Sequence, residues 1–192
     1  ASGPAYPDST TCAQAMEIAE RYGLRLSDDA RRCLSMETPK ALSNVETRIT
    51  GSVRQLCASA ERVCAALGYE PVFLTDRLSC EAREAGAFLA AIARSQAGRG
   101  RRAFILGGET VVHLTGDGLG GRNQELALSA ARGMDGLTGA LLFSVGSDGT
   151  DGPTDAAGGW VDGNTAAALR EKGIDIEQVL ARNDAYRALQ AC

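Results

Sequence analysis

Residues 52–75 read SVRQLCASAERVCAALGYEPVFLT, and their pattern decides the fold class. Val53, Leu56, Cys57, Ala60, Val63, Cys64 and Leu67 recur at the spacing of one helical face, and Gly68 supplies the stop that ends a helix. Pro71–Thr75 then switches to a short strand-forming run. The same exchange of periods repeats on both sides. Downstream, Cys80–Ala97 is expected as a helix with Ala85, Phe88, Leu89 and Ile92 on its buried stripe. Ala103–Leu106 follows as a buried strand, Val111–Thr115 as a further strand, Arg122–Arg132 as a helix ended by Gly133, and Ala140–Val145 as an apolar strand. Helices are expected at Thr165–Lys172 and Ile176–Ala181. Upstream, Asp8–Tyr22 reads as a helix capped by Thr10 or Thr11, Ser27–Leu34 as a second helix, and Val45–Thr50 as a strand. Strands alternating with helices of roughly 10–15 residues imply an α/β layered fold with a mainly parallel sheet. Phe104 and Val111 would form its antiparallel exception.

Composition narrows the function classes. The chain has 192 residues, 44% hydrophobic and 23% charged, enough apolar material for one domain's core, or for one domain with an appended segment. No run approaches the roughly 18 apolar residues of a membrane span, and no charged-then-apolar segment opens the sequence. Twenty Lys and Arg against 24 Asp and Glu leave a net charge of −4, which argues against an electrostatic nucleic-acid footprint. A single histidine, His113, excludes sites that need two or more, and its position in Val-Val-His-Leu-Thr reads as structural or surface. The six cysteines show no paired spacing and read as reduced thiols of a cytosolic protein.

Glycine is unevenly placed: eighteen of the 23 lie between Gly98 and Gly173. Between Ala103 and Leu169 there are eight acidic residues but only two bases, Arg122 and Arg132. Carboxylates around a cation, with one arginine facing an anion, is one reading; a solvated acidic surface is the other.

Two loops carry the chemistry. Gly116-Asp117-Gly118-Leu119-Gly120-Gly121-Arg122-Asn123-Gln124-Glu125 follows a strand and opens a helix, a context in which backbone N–H groups bind an anion. As a dinucleotide fingerprint it is incomplete, because the nearest acidic residue beyond it, Asp135, comes too early. Arg122 in the first helical turn opposes the macrodipole, a conflict that a nearby anion would relieve; pairing with Glu125 or Asp117 is the alternative. The second loop, Gly146–Gly158, leaves the carboxyl end of a strand, where open α/β sheets bind ligands. Its Asp148, Asp151 and Asp155 suit Mg²⁺ coordination or hydroxyl recognition. Gly107-Gly108-Glu109-Thr110 reads as a tight turn between strands, for which a hairpin alone would account.

Ser2-Gly3-Pro4, Glu37-Thr38-Pro39-Lys40, Gly107–Thr110, the run Gly120–Leu128, Asp148–Gly158 and Asn183-Asp184-Ala185-Tyr186 occur in that order. Together they resemble the glycerate 2-kinase family, whose C-terminal part is the MOFRL domain and some of whose members are described as hydroxypyruvate reductases. The resemblance covers essentially the whole chain. It implies a fragment of a two-domain enzyme: residues 1–41 belonging to or bridging toward an absent N-terminal domain, and 42–192 a three-layer Rossmann-like domain with the MOFRL region from about residue 101. One departure is Gly51-Ser52-Val53, where the family tends to have Gly-Ser-Asn. The family's active-site lysine would lie in the absent half, since Lys40 and Lys172 sit in no phosphate-binding loop.

The activity so implied is transfer of the ATP γ-phosphoryl group to the 2-hydroxyl of D-glycerate with Mg²⁺ in the cytoplasm, these residues alone being inactive. Arg122 would hold the glycerate carboxylate or the γ-phosphate. Asp148 and Asp151 would bind Mg²⁺ or take the hydroxyl proton. Glu109, Thr110, Asn123, Thr154 and Asp155 would orient the ligands, with Gly107, Gly108, Gly120 and Gly121 admitting them to the backbone. An NAD(P)H-dependent hydroxypyruvate reductase and a non-catalytic module binding an anion or sugar acid are the alternatives. Assembly of identical copies stays open; no nucleic-acid or membrane partner is expected.

Overall fold

The computed structural model describes residues 5–192, so Ser2-Gly3-Pro4 lies outside the described residues. The chain divides into two compact units, one running up to Thr50 and the other Gly51–Cys192.

In the first unit, α1 (Cys12–Arg21) starts at Thr11. Its hydroxyl oxygen accepts the Gln14 N–H at 3.3 Å while Gln14 Oε1 accepts the Thr11 N–H at 2.8 Å, a capping box. Ser27 caps α2 (Asp28–Leu34) through the N–H of Ala30. Glu37 in the family-like Glu-Thr-Pro-Lys run accepts from Lys40 and from the Cys12 N–H, which hold its carboxyl below the usual range. Val45–Thr50, expected as a strand, belongs to no regular element among the described residues.

In the second unit, α3 (Val53–Ala66) begins at its cap Ser52 and packs on a parallel pair, β1 (Glu70–Leu78) and β2 (Arg102–Gly108). Val72 lies opposite Phe104, and β1 runs on past Thr75 through two register irregularities. Between them α4 (Ala82–Gln96) lies against α5 (Arg122–Met134). The latter is the centre of the core. Ala127, Ala130, Ala131 and Met134 meet Ala90 and Val161; Leu128 meets Leu169, Leu180, Ala185 and Ala188; Leu126 meets Ala82 and Ala85. Gly133 does not end α5, as expected, but sits inside it, where an added Cβ would stand 2.6 Å from Cβ of Ala90. The helices α6 (Thr165–Glu171), α7 (Ile176–Ala181) and α8 (Ala185–Gln190) complete the unit.

The α/β class and the parallel pairing hold. The antiparallel pairing falls elsewhere than expected. Phe104 pairs with Val72, and Val111 makes only an isolated parallel bridge to Glu81, with Ala82 N–H donating to Val111 O at 2.8 Å. Gly107–Thr110 is therefore no hairpin turn. The antiparallel pair is β3 (Leu141–Val145) with β4 (Gly158–Asp162), Phe143 opposite Trp160. The aspartate loop is the connection of that pair. Its second strand begins on two glycines, which conceal it from a propensity reading. No helix among the described residues is long and apolar enough to cross a membrane, and all six cysteines are free thiols.

Candidate active site at the start of helix α5

A helix start leaves its first N–H groups without partners, and Gly121 at the cap position has no side chain to satisfy them. The missing acceptor comes from the other loop. Asp151, 3% exposed, takes the Asn123 N–H at 3.0 Å and the Asn123 Nδ2 at 3.0 Å on one oxygen, and the Gln124 N–H at 2.8 Å on the other. Glycine at 121 is a condition of this arrangement, since a Cβ there would stand 2.3 Å from Cγ of Asp151. The anion expected at the helix N-terminus is thus supplied by the chain itself. Around it, Asn123 Oδ1 accepts the Ser144 hydroxyl at 2.6 Å, and Gln124 Nε2 donates to Thr154 Oγ1 at 2.9 Å. The two loops do meet. Asn123, Asp151 and Thr154 form one hydrogen-bonded cluster with Gly120 and Gly121 against it.

Arg122 points away from this cluster toward the segment after β2. Its Nη1 pairs with Glu109 Oε1 at 2.6 Å and donates to Thr110 O at 3.3 Å, with about half of the side chain still exposed. Neither carboxylate expected beside it is there. Asp117 stands 3.7 Å from Arg182, while buried Glu125 is held by Arg83 at 3.2 Å and by Asn183 Nδ2 at 3.1 Å. Asp148 is exposed and spends one oxygen on the Thr150 N–H at 3.2 Å. Asp155 accepts the Tyr186 hydroxyl at 2.5 Å, and that contact pushes the phenol up from its ordinary value. Gln124, whose Oε1 is buried without a hydrogen-bond partner, borders a recess of about 220 Å³ shared with Asp155, Trp160 and Tyr186.

Asp151 spends two lone-pair positions of Oδ1 and one of Oδ2 on N–H donors, so its carboxylate is engaged chiefly in capping α5. Among the described residues no group of three or more His, Cys, Asp and Glu gathers as a cation site. Asp148 alone is no magnesium cage, and these residues do not fit a Mg²⁺ site of the chain's own. Gly107 and Gly108 are packed closely on the side a Cβ would occupy. A Cβ on the first would stand 2.2 Å from Cγ1 of Val53, and on the second 2.2 Å from O of Leu78, so both serve the packing of α3, β1 and β2.

The residues that sequence reasoning missed are Gln124, Glu125, Arg83, Ser144 and Asn183, which hold the loops in place. Asn183 carried a signal through the Asn-Asp-Ala-Tyr run, and Gln124 and Glu125 through the Gly120–Leu128 run. Arg83 and Ser144 lie in ordinary helix and strand sequence that nothing marks.

The chain carries, in residues 102–192, a match to the model of the MOFRL family. It is similar to D-glycerate 2-kinase of Thermotoga maritima, with 50% identity over 99% of this chain and 47% of that protein. It is also similar to glycerate 2-kinase of Pyrococcus horikoshii, 41% identical over 99% of this chain and 47% of the other. The crystal structure of a Thermotoga maritima glycerate kinase superposes with a TM-score of 0.79 at 48% identity, covering 98% of this chain and 47% of that one. The chain spans about half the length of the curated relatives it matches.

Proposed function

We propose that this chain is part of a cytoplasmic glycerate 2-kinase that transfers the γ-phosphoryl group of ATP to the 2-hydroxyl of D-glycerate. The observation that carries the reading is the internal capping of α5 by Asp151. It locks the two loops together and leaves Arg122 as the cation free to exchange its surface partner, Glu109, for a ligand anion. Similarity of 99% of this chain to 47% of D-glycerate 2-kinase of Thermotoga maritima supports the same reaction.

Phosphoryl transfer makes few covalent demands on the protein, so these residues act by position and charge. The glycerate 2-hydroxyl oxygen attacks the γ-phosphorus, the bond to the bridging oxygen of ADP breaks, and the hydroxyl proton passes to a carboxylate. Asp148, exposed at the head of its loop, is the acceptor for that proton, while Asp151 is committed to capping α5. Arg122 lays its planar fork on the glycerate carboxylate or the γ-phosphate. No step is routed through Mg²⁺ on this chain's residues.

The reductase alternative meets a physical obstacle. A dinucleotide pyrophosphate needs the first N–H groups of the helix after the glycine loop, and here Asp151 already holds those of Asn123 and Gln124. The test is to give the intact protein ATP with D-glycerate, and separately NADH with hydroxypyruvate, and to identify the product by phosphorus NMR. Formation of 2-phosphoglycerate supports the proposal. NADH oxidation without ATP turnover, or ligand binding without turnover, overturns it.

A further inference from the structure

The turn between α7 and α8 does more than join two helices. Asn183 is the one non-glycine residue of positive φ among the described residues, at +55°, and it is 6% exposed. That backbone conformation is one that L-residues keep only when the surroundings hold them in it, asparagine among the more tolerant. Its carboxamide is fully engaged. Oδ1 accepts the N–H of Thr115 at 2.8 Å and of Gly116 at 3.0 Å; Nδ2 donates to His113 O at 3.1 Å and to Glu125 Oε2 at 3.1 Å. The other oxygen of Glu125 meets Arg83 at 3.2 Å, so the amide orientation is set by a partly buried ion pair on α4 and α5.

The neighbours of Asn183 continue the same contact. Gly118 N–H donates to Arg182 O at 2.8 Å, Leu119 N–H to Asp184 Oδ1 at 2.8 Å, and Tyr186 N–H to Leu119 O at 3.0 Å. Residues 115–119 therefore have almost every backbone donor directed to one turn. A glycine-rich stretch has the most freedom to lose on ordering and the fewest side chains to order itself with. An external template is what gives it one shape.

We propose that Asn183 is a positioning residue of the candidate active site: its carboxamide, aligned by Glu125 and Arg83, sets the conformation of Thr115–Leu119 and hence the approach of Arg122 to its ligand. The positioning stands on geometry alone; only its consequence for turnover rests on the kinase reading. This also accounts for the failure of residues 111–115 to pair with β2, since their end is drawn to the α7–α8 turn.

Amide hydrogen exchange on the full chain tests it. Asn183→Gly suits a φ of +55° and removes only the carboxamide. It is expected to speed exchange at Thr115 and Gly116 by about tenfold or more, with β2 amides at wild-type rates. Asn183→Asp keeps an acceptor for the loop but sets a second carboxylate against Glu125. It is expected to speed the same amides, and the added change Glu125→Gln, which supplies a donor there, is expected to restore them. Unchanged exchange at Thr115 and Gly116 in Asn183→Gly, acceleration spread evenly over the chain, or no restoration in the double variant overturns the proposal. With ATP and D-glycerate, Asn183→Gly in the intact protein lowers kcat while KM stays within about twofold. A wild-type protein inert toward those substrates would remove the functional reading and leave the exchange result to decide the positioning role.

Discussion

Replacing Asp151 by alanine removes three hydrogen bonds of 2.8–3.0 Å from a carboxylate that is 3% exposed. Loss of a helix N-cap costs about 0.5–2 kcal/mol. Two backbone donors are then left in a place that water reaches poorly, at about 1–3 kcal/mol for such unsatisfied groups. Together these put Asp151→Ala at about 3 kcal/mol of lost stability. Asp151→Asn costs about half as much, since its carbonyl oxygen still serves Asn123 while its amide faces the Gln124 N–H donor to donor. With a urea slope of about 2 kcal/mol/M, the unfolding midpoint of the alanine variant falls by about 1.5 M at unchanged slope. A midpoint within about 0.3 M of wild type refutes the capping argument. If kinase turnover collapses in that same stable variant, Asp151 works on the reactants and the assignment to Asp148 is wrong.

Gly121→Ala drives a Cβ into both the carboxyl group and the backbone carbonyl carbon of Asp151 and is expected to lower stability at least as much as Asp151→Ala, with the double variant worse than Asp151→Ala alone because the backbone clash persists; a wild-type urea midpoint in Gly121→Ala would contradict this. In the intact protein, Arg122→Ala removes about 2–4 kcal/mol of transition-state stabilisation with the urea midpoint unmoved, and near-normal kcat/KM excludes Arg122 from the site. Asp162 accepts the Asn164 and Thr165 N–H groups and the Thr165 hydroxyl, which hold its carboxyl below the ordinary value. It thus stays ionised in the fold where the unfolded chain takes up a proton. Its contribution is complete above about pH 4 and fades as the pH falls through the lowered value. Urea midpoints of Asp162→Asn measured from pH 7 to pH 3 should fall less steeply than those of wild type, and parallel curves would contradict this.

The helices with one clean apolar face, α3 above all, were legible because burial on one side leaves a period of 3.6 in the sequence. Reading α5 by the same rule put its end at Gly133 too early. It is enclosed by α4, the β3–β4 pair and the last three helices, so it has no exposed face to mark, and its glycine is the seat of a neighbouring helix. The strand expected at Val111–Thr115 failed for a tertiary reason as well, its backbone groups being claimed from residue 183, nearly seventy positions away. Of the candidate site, the two loops and Arg122 could be named from glycine and charge alone. The partner of Arg122 could not, since local spacing offered Glu125 and Asp117 while the fold delivers Glu109.

Local pattern determined the α/β class, most of the elements, and the order of the motifs that resemble the glycerate 2-kinase family, because periodicity, caps and glycine placement are written within a few residues of one another. Tertiary structure alone decided what each aspartate does. A carboxylate at 151 reads the same as one at 148 until the start of α5 is brought against the first and solvent against the second. Hydrogen bonds over a separation of 27 or 28 residues turn one into a cap and leave the other exposed to solvent.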